Sequence, residues 1–192
     1  MPILPLTTER LTLRLMRTSD ANTLATYRND PDTARYQSWP LPYTPLMAAD
    51  LLVDQADTTD IGPDGWLQVA IDLIDPGHES PATMIGDLAV GLEQAGAIAS
   101  IGYTLAPDRR GHGYATEAAA ALIEALFTHT QVHRVVATLD PQNTSSERLL
   151  ERLGFQREGV ARQAAFVGGQ WVDDLTYSLL RSDSLLRSGR FG

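Results

Sequence analysis

Cysteine is missing from this sequence altogether. Its absence excludes disulfide bonds, thiolate metal ligands and a cysteine nucleophile, and it gives no argument for an oxidising compartment. The sequence also lacks a run of ~20 apolar residues of the kind that spans a membrane. Its first residues lack the basic stretch followed by an apolar run that marks a secretory signal. We therefore expect a cytoplasmic protein that does not cross a membrane.

Positive charge is scarce. The 15 basic residues, all of them arginine, face 24 aspartate and glutamate residues, which gives a formal net charge of −9. Proteins that bind nucleic acid usually present a basic face, so this balance argues against nucleic acid as a partner. An acidic surface attracts a cationic small molecule or a basic peptide end, although it can equally serve solubility alone. The histidines show no metal-ligand spacing, and we expect no metal site.

What is present is the composition of a soluble globular protein. The chain has 192 residues, of which 43% are hydrophobic and 20% are charged, and these values are typical of one folded domain. We find no internal repeat, low-complexity tract or linker. We therefore predict a single domain over 1–181, followed by a polar C-terminal tail over 182–192 that frays.

The spacing of apolar residues predicts the secondary structure. Apolar residues alternate over 10–16 as in a half-buried strand, whereas Ala115, Ala118, Leu122 and Leu126 fall on one face of a helix. The predicted order, β-α-α-β-β-β-α-β-α-β-β, indicates an α/β or α+β fold with a mixed sheet. The predicted strands are 10–16, 66–74, 83–92, 97–105, 135–139, 155–167 and 170–180, the last two forming a hairpin, and the predicted helices are 20–28, 44–56, 113–128 and 143–153.

A loop between a predicted strand and a predicted helix has the features of an anion site. The strand ends at Leu105, the helix begins at Gly113, and Arg109 and Arg110 precede Gly111 between them. A helix start offers unpaired N–H groups and a partial positive charge, and glycines let the backbone approach an anion. The same pattern also occurs in ordinary tight turns. It matches neither the Gly-x-x-x-x-Gly-Lys-Ser/Thr loop nor the dinucleotide Gly-x-Gly-x-x-Gly, which disfavours a nucleotide triphosphatase and a Rossmann dehydrogenase.

A set of ordered motifs surrounds this loop. Together they resemble the GNAT acetyltransferases, and the RimJ/RimL branch in particular. The resemblance spans roughly residues 8 to 180. The motifs are Thr8-Glu9-Arg10-Leu11, Asn29-Asp30-Pro31, Ile101-Gly102-Tyr103, Arg110-Gly111-His112-Gly113-Tyr114-Ala115 with Glu117 and Ala118, Asn143 with Ser146, Leu153-Gly154-Phe155, and Gly169, Trp171, Asp173 and Tyr177.

This resemblance implies a mixed, mostly antiparallel sheet of about seven strands with a splayed central pair, flanked by about four helices. It implies acetyl-CoA as cosubstrate, an amine acceptor and direct attack in a ternary complex. The backbone of Tyr103, Thr104 and Leu105 would pair with the pantetheine arm, which Asn143 would also meet, although Asn143 is equally a good helix cap. The loop would hold the pyrophosphate through Arg110, Gly111, His112, Gly113, Tyr114 and Ala115, with Thr116 nearby.

The same resemblance leaves the catalytic groups open. Ser146 is the candidate that protonates the leaving thiolate, and it could instead serve only the local helix backbone. Relatives carry a glutamate where this chain has Ser100, and another in the strand after Leu-Gly-Phe, where 163–166 contain no carboxylate. The remaining candidates for a base are Asp87, Glu93 and Asp173. Asp87 could instead be a solvated strand residue, and Asp173 could make structural hydrogen bonds near the hairpin. A water-relayed proton transfer is equally compatible.

The acceptor site in this family is built by the first two helices, their loop and the closing hairpin. The candidate residues are therefore Tyr36, Gln37, Trp39, Tyr43 and Phe166, with Trp171 beside them, and core packing is the alternative for the tryptophans. Three functions stay open: acetylation of a protein N-terminus, acetylation of a small amine such as an aminoglycoside or polyamine, and a coenzyme A-binding module without turnover. Similar proteins are commonly homodimers, which makes a homodimer an expectation by analogy.

Overall fold

The computed structural model describes residues 2–53, 55–62, 65–74 and 83–183. Of the predicted tail over 182–192, all but the first two residues lie outside the described residues. In the part of the chain that is described, no helix is both long enough and apolar enough to cross a membrane.

The elements follow the predicted order with two additions, both short. The strand β1 has only two residues and pairs with β2. The helix α2 is a single turn that begins where the Asp30 carboxylate caps the chain ahead of Pro31. The strands are β1 (Leu6–Thr7), β2 (Leu11–Leu15), β3 (Trp66–Leu73), β4 (Thr83–Glu93), β5 (Ile98–Leu105), β6 (Arg134–Leu139), β7 (Gln156–Val167) and β8 (Gln170–Leu180), and the helices are α1 (Ala21–Arg28), α2 (Pro31–Ala34), α3 (Pro45–Val53), α4 (Tyr114–His129) and α5 (Thr144–Leu153).

All eight strands form one sheet in the order β1-β2-β3-β4-β5-β6-β8-β7. Neighbours are antiparallel except for β5 and β6, which are parallel. Pairing between β5 and β6 ends at Ser100 and Val136, although β5 continues to Leu105 and β6 to Leu139. The carboxyl ends of these two strands therefore diverge, which confirms the predicted splayed central pair.

The sheet is covered on both faces. The larger core lies between the sheet and α4 and α5, and it includes Ala99, Ile101 and Leu105 of β5. Because side chains alternate along a strand, Ser100, Gly102 and Thr104 face the opposite side. On that side α1 and α3 pack in a second cluster with Ala70 of β3. The splay thus connects the α5 side of the sheet with the α1 side.

Candidate active site

A cleft of about 880 Å³ opens where β5 and β6 diverge. One wall is the end of β5, and another is formed by the loop and first turns of α4. The first two turns of α5 and the α2 segment complete it. Its lining includes eleven of the twelve residues predicted to bind the cofactor, namely Tyr103, Thr104, Leu105, Arg110, Gly111, Gly113, Tyr114, Ala115, Thr116, Asn143 and Ser146.

The loop before α4 is shaped by two glycines. Gly111 and Gly113 have φ angles of 80° and 82°, a left-handed conformation that other residues adopt only with strain. Gly113 is the residue before the first turn of α4, and no side chain among the described residues caps that turn. The N–H groups of Tyr114, Ala115 and Thr116 are consequently free for a ligand, and all three residues line the cleft. This end of the cleft is built to receive an anion.

Glu117 anchors this loop to the N-terminal strands. Its carboxylate accepts hydrogen bonds from the Thr8 hydroxyl (2.6 Å) and from Arg10 Nε (2.7 Å). Arg10 also donates to the His112 carbonyl at 3.1 Å and lies over the Tyr114 ring. Burial opposes ionisation of Glu117, but the hydrogen bonds from Thr8 and Arg10 outweigh it and lower the pKa of the carboxyl. The carboxylate therefore stays charged at neutral pH and fixes the start of α4 from behind.

The arginines of the loop are not aimed at the anion site. Arg109 pairs with Asp108 at 3.1 Å and does not line the cleft. Arg110 reaches α2, where it donates to the Thr33 hydroxyl and lies 3.6 Å from Asp30. Two arginines of α5, Arg148 and Arg152, line the cleft and make no ion pair with the described residues.

His112 is the one predicted cofactor residue that lies outside the lining of the cleft. Its ring is exposed and stacks on Tyr114 with 5.6 Å between the ring centroids. Its Nδ1 lies 2.8 Å from the Arg110 carbonyl oxygen. The side chain therefore supports the outside of the loop rather than facing the anion site.

The α5 wall combines a cap and a free hydroxyl. The Asn143 side-chain oxygen accepts from Ser146 N at 3.2 Å and thereby caps α5, as the sequence predicted. Tyr103 of β5 donates its hydroxyl to the Ser146 carbonyl at 3.2 Å, and burial raises the pKa of Tyr103 to about 12. The Ser146 hydroxyl itself has no hydrogen-bond partner among the described residues. It is available to a ligand in the cleft.

Asp87 is buried behind the cleft rather than exposed in it. It is 2% exposed, and its carboxylate accepts the Tyr27 hydroxyl at 2.5 Å and lies 3.6 Å from Arg28. Burial raises the pKa of Asp87, although Arg28 and Tyr27 act in the opposite direction. The alternative interpretation of Asp87 as a solvated strand residue is wrong. Its cross-strand neighbour Thr104 lines the cleft, whereas Asp87 does not.

The two other carboxylate candidates lie away from the cleft. Glu93 is exposed at the far end of β4, six residues or roughly 20 Å from Asp87 at ~3.3 Å per residue, and it accepts the Ser100 hydroxyl at 2.9 Å. Asp173 is exposed and accepts from Gln163 N at 2.9 Å beside an irregularity in the β7–β8 pairing. The structure therefore gives both carboxylates local hydrogen-bonding roles, and neither lines the cleft.

The predicted acceptor residues divide into two groups. Tyr36 and Gln37 line the cleft together with Asp32 and Thr33, which the sequence did not single out. The other predicted members do not line this cleft, and their role in an acceptor site stays a prediction. Trp39 and Tyr43 enclose the Arg28 guanidinium at 4.5 and 4.9 Å, and Phe166 is exposed on Trp171 near the tip of the β7–β8 hairpin.

Comparison with known proteins finds acetyltransferases that match most of the chain. The family described as "Acetyltransferase (GNAT) domain" matches residues 10–156. The N-acetyltransferase p20 of Bacillus licheniformis is 32% identical, and the match covers 92% of this chain and 96% of that protein. The Escherichia coli protein named [ribosomal protein uS5]-alanine N-acetyltransferase is 28% identical, with 95% and 93% covered. Mycobacterium smegmatis RimJ, solved in complex with CoA-disulfide, superposes with a TM-score of 0.76 at 25% identity, covering 98% of this chain and 97% of its own.

The chain belongs to the GNAT acetyltransferase family. It is therefore an acyltransferase, and its acyl donor is acetyl-CoA. The site fits that donor on its own geometry. The uncapped start of α4 suits a diphosphate, and the edge of β5 beyond Ser100, unpaired with β6, suits the amides of an extended pantetheine arm.

Sequence reasoning missed several residues of this GNAT site. Arg148 and Arg152 are four residues apart in the predicted α5, and this spacing is the signal that would have placed them on one face of the helix. Arg10 appeared only inside a motif, since nothing local shows that it reaches Glu117. Asp32 and Thr33 belong to a helical turn too short for periodicity to reveal.

Proposed function

We propose that this GNAT acetyltransferase acetylates the α-amino group at the N-terminus of a protein. The observation that carries the proposal is the charge of the cleft. Asp32 and Glu117 are the only acidic residues among the described residues that line it, and Glu117 is bound to Arg10. One free carboxylate suits an acceptor with a single cationic amine, whereas a polyamine carries several positive charges that need partners. The name of the Escherichia coli relative supports the same substrate class.

Donor binding is proposed to use mostly backbone. The N–H groups of Tyr114, Ala115 and Thr116 bind the diphosphate, and Arg148 and Arg152 add positive charge from α5. The pantetheine amides pair with the free edge of Tyr103–Leu105. The Asn143 side-chain nitrogen, which has no partner among the described residues, donates to the same arm.

The acceptor end is proposed to comprise Asp32, Thr33, Tyr36 and Gln37. Asp32 attracts the cationic N-terminus before its amine loses a proton. Tyr36 and Gln37 follow α2 and contact the first residues of the acceptor. The preference among acceptor peptides would therefore depend on this short segment.

The transfer is proposed to be a direct attack in a ternary complex. Acetyl-CoA supplies an acetyl group activated as a thioester. The acceptor nitrogen forms the new bond to the acetyl carbon as the carbon–sulfur bond breaks, and its proton passes to water, since β5 and β6 themselves carry no carboxylate. An unpaired N–H of β5 stabilises the developing oxyanion, and the Ser146 hydroxyl donates to the leaving sulfur.

Thiol release from acetyl-CoA, measured with a panel of amines, tests this proposal. We expect peptides with a free N-terminal alanine or serine to raise release at least tenfold over hydrolysis. The same peptides blocked at the N-terminus should give no increase, and lysine side chains in them serve as the internal control. Preferential acetylation of spermidine or an aminoglycoside would overturn the acceptor assignment. If acetyl-CoA binds and no amine raises release, the chain is a binding module instead.

A further inference from the structure

The side chain of Arg110 links the donor loop to the acceptor segment. Its Nε donates to the Leu105 carbonyl at 3.4 Å, which holds the stem of the side chain on β5. Its Nη2 donates to the Thr33 hydroxyl and lies 3.6 Å from the Asp30 carboxylate. The guanidinium therefore contacts α2 while its own backbone begins the glycine loop.

The contact falls on the residues that hold α2 together. Asp30 accepts from Thr33 N and from the Thr33 hydroxyl, both at 2.8 Å, and thereby caps the helix. These hydrogen bonds, together with the nearby charge of Arg110, keep the pKa of Asp30 below its ordinary value. A helix of one turn has little stability of its own. Its position consequently depends on contacts such as the one from Arg110.

The residues after α2 line the acceptor end of the cleft. Gln37 N donates to the Ala34 carbonyl at 3.0 Å, so Gln37 is joined directly to the end of the helix. Tyr36 lies between them, and Tyr36 and Gln37 both line the cleft. A displacement of α2 would therefore move both side chains.

We propose that Arg110 is a positioning residue that couples donor binding to the acceptor site. A diphosphate bound at the start of α4 immobilises Gly111–Gly113 and the backbone of Arg110. The guanidinium then holds Asp30 and Thr33, and through α2 it orders Tyr36 and Gln37. Acetyl-CoA would thus prepare the site for the amine, and the guanidinium would act on the acceptor rather than on the phosphates. This inference rests on the proposed donor binding and holds for any amine acceptor.

Hydrogen exchange with coenzyme A alone tests the coupling without an acceptor. In the wild-type protein, saturating coenzyme A should slow exchange at Thr33, Ala34 and Gln37 by about fivefold or more. Arg110→Ala should abolish this protection while coenzyme A affinity, measured by calorimetry, changes less than fivefold. The matched control is Arg109→Ala, since both arginine side chains are 39% exposed. That control should retain the protection.

A second variant removes the contact between Arg110 and Thr33 from the α2 side and leaves the glycine loop unchanged. Thr33→Val removes the hydroxyl at nearly constant volume, and it should reproduce the loss of protection without adding to that of Arg110→Ala. The proposal is overturned if coenzyme A does not slow exchange in the wild type, as a purely structural role would give, or if protection persists in Arg110→Ala. A loss of coenzyme A affinity greater than fivefold in Arg110→Ala would also overturn it, because the guanidinium would then be a phosphate ligand. Absence of acetyl transfer to peptides affects only the acceptor assignment.

Discussion

The proposed donor end and the proposed acceptor end of the cleft are built in different ways. At the donor end, backbone N–H groups at the start of a 16-residue helix form the site, and glycines and the Glu117–Arg10 pair hold them. At the acceptor end, a four-residue helix and the residues after it present side chains. The backbone of a long helix is rigid and depends little on any one side chain, whereas the stability of a single helical turn depends on its tertiary contacts. We infer that the donor end is the more rigid of the two and the acceptor end the more adaptable.

Asp87, Arg28 and Tyr27 form a buried cluster behind the cleft. Among the predicted effects on the free energy of unfolding, we expect those at this cluster to be the largest. Asp87→Asn would leave the buried Arg28 guanidinium without its carboxylate, and we expect a loss of about 3–5 kcal/mol in the free energy of unfolding, measured by urea denaturation. Tyr27→Phe, which removes only the hydroxyl, should cost about 1–2 kcal/mol. The pH dependence of kcat should be unaltered in the folded fraction of both variants.

A loss of turnover without a loss of stability would contradict a purely structural role for Asp87. If Asp87→Asn retained wild-type stability, lost most of its turnover and lost the titration of a base in its pH–rate profile, Asp87 would be the catalytic base. The buried cluster would then belong to the chemistry and not to the scaffold.

Ser146 lines the cleft from α5, and its substitution tests the proposed thiolate donor. Ser146→Ala should lower kcat by roughly a hundredfold, which is the lower end of the usual range for the loss of one proton donor. The KM for acetyl-CoA should change little, because the backbone of α4 carries most of the binding. Ser145→Ala is the matched control, since Ser145 also lines the cleft but bonds its hydroxyl to Asn143 at 2.8 Å. Equal effects of the two variants would contradict the role of Ser146.

The rigidity of the donor end is tested by Gly113→Val. A β-branched residue at a φ of 82° costs about 1–3 kcal/mol of strain, and its relief would tilt the first N–H groups of α4. We expect coenzyme A affinity to fall roughly ten- to a hundredfold by calorimetry. Gly168→Val, at a φ of 57° in the distant hairpin, is the control for strain alone. An affinity loss shared by both variants would mean that the donor loop is not specially sensitive.

Much of the fold could be predicted from the sequence because its elements are long and strongly patterned. The helix over 113–128 was predicted to within one residue of α4, and the closing hairpin over 155–180 to within one residue of β7 and β8. The missing elements, β1 and α2, contain too few residues for a period to appear. The positions of the acceptor candidates could not be predicted for a related reason: an aromatic-rich loop indicates packing or binding equally well. Only the fold shows that Trp39 and Tyr43 enclose Arg28 while Tyr36 faces the cleft.

The sequence by itself indicated the anion site before α4 of this GNAT acetyltransferase, since a glycine loop between a strand and a helix creates such a site through local backbone geometry. Tertiary structure alone decided which partners the charged side chains have. Arg110 turns toward α2, Arg10 comes from the N-terminal strands to hold Glu117, and Asp87 is enclosed by α1. These contacts join residues far apart in the chain, and no local pattern specifies them. The physical reason is that backbone conformation depends on neighbouring residues, whereas the partner of a charge depends on how distant segments pack.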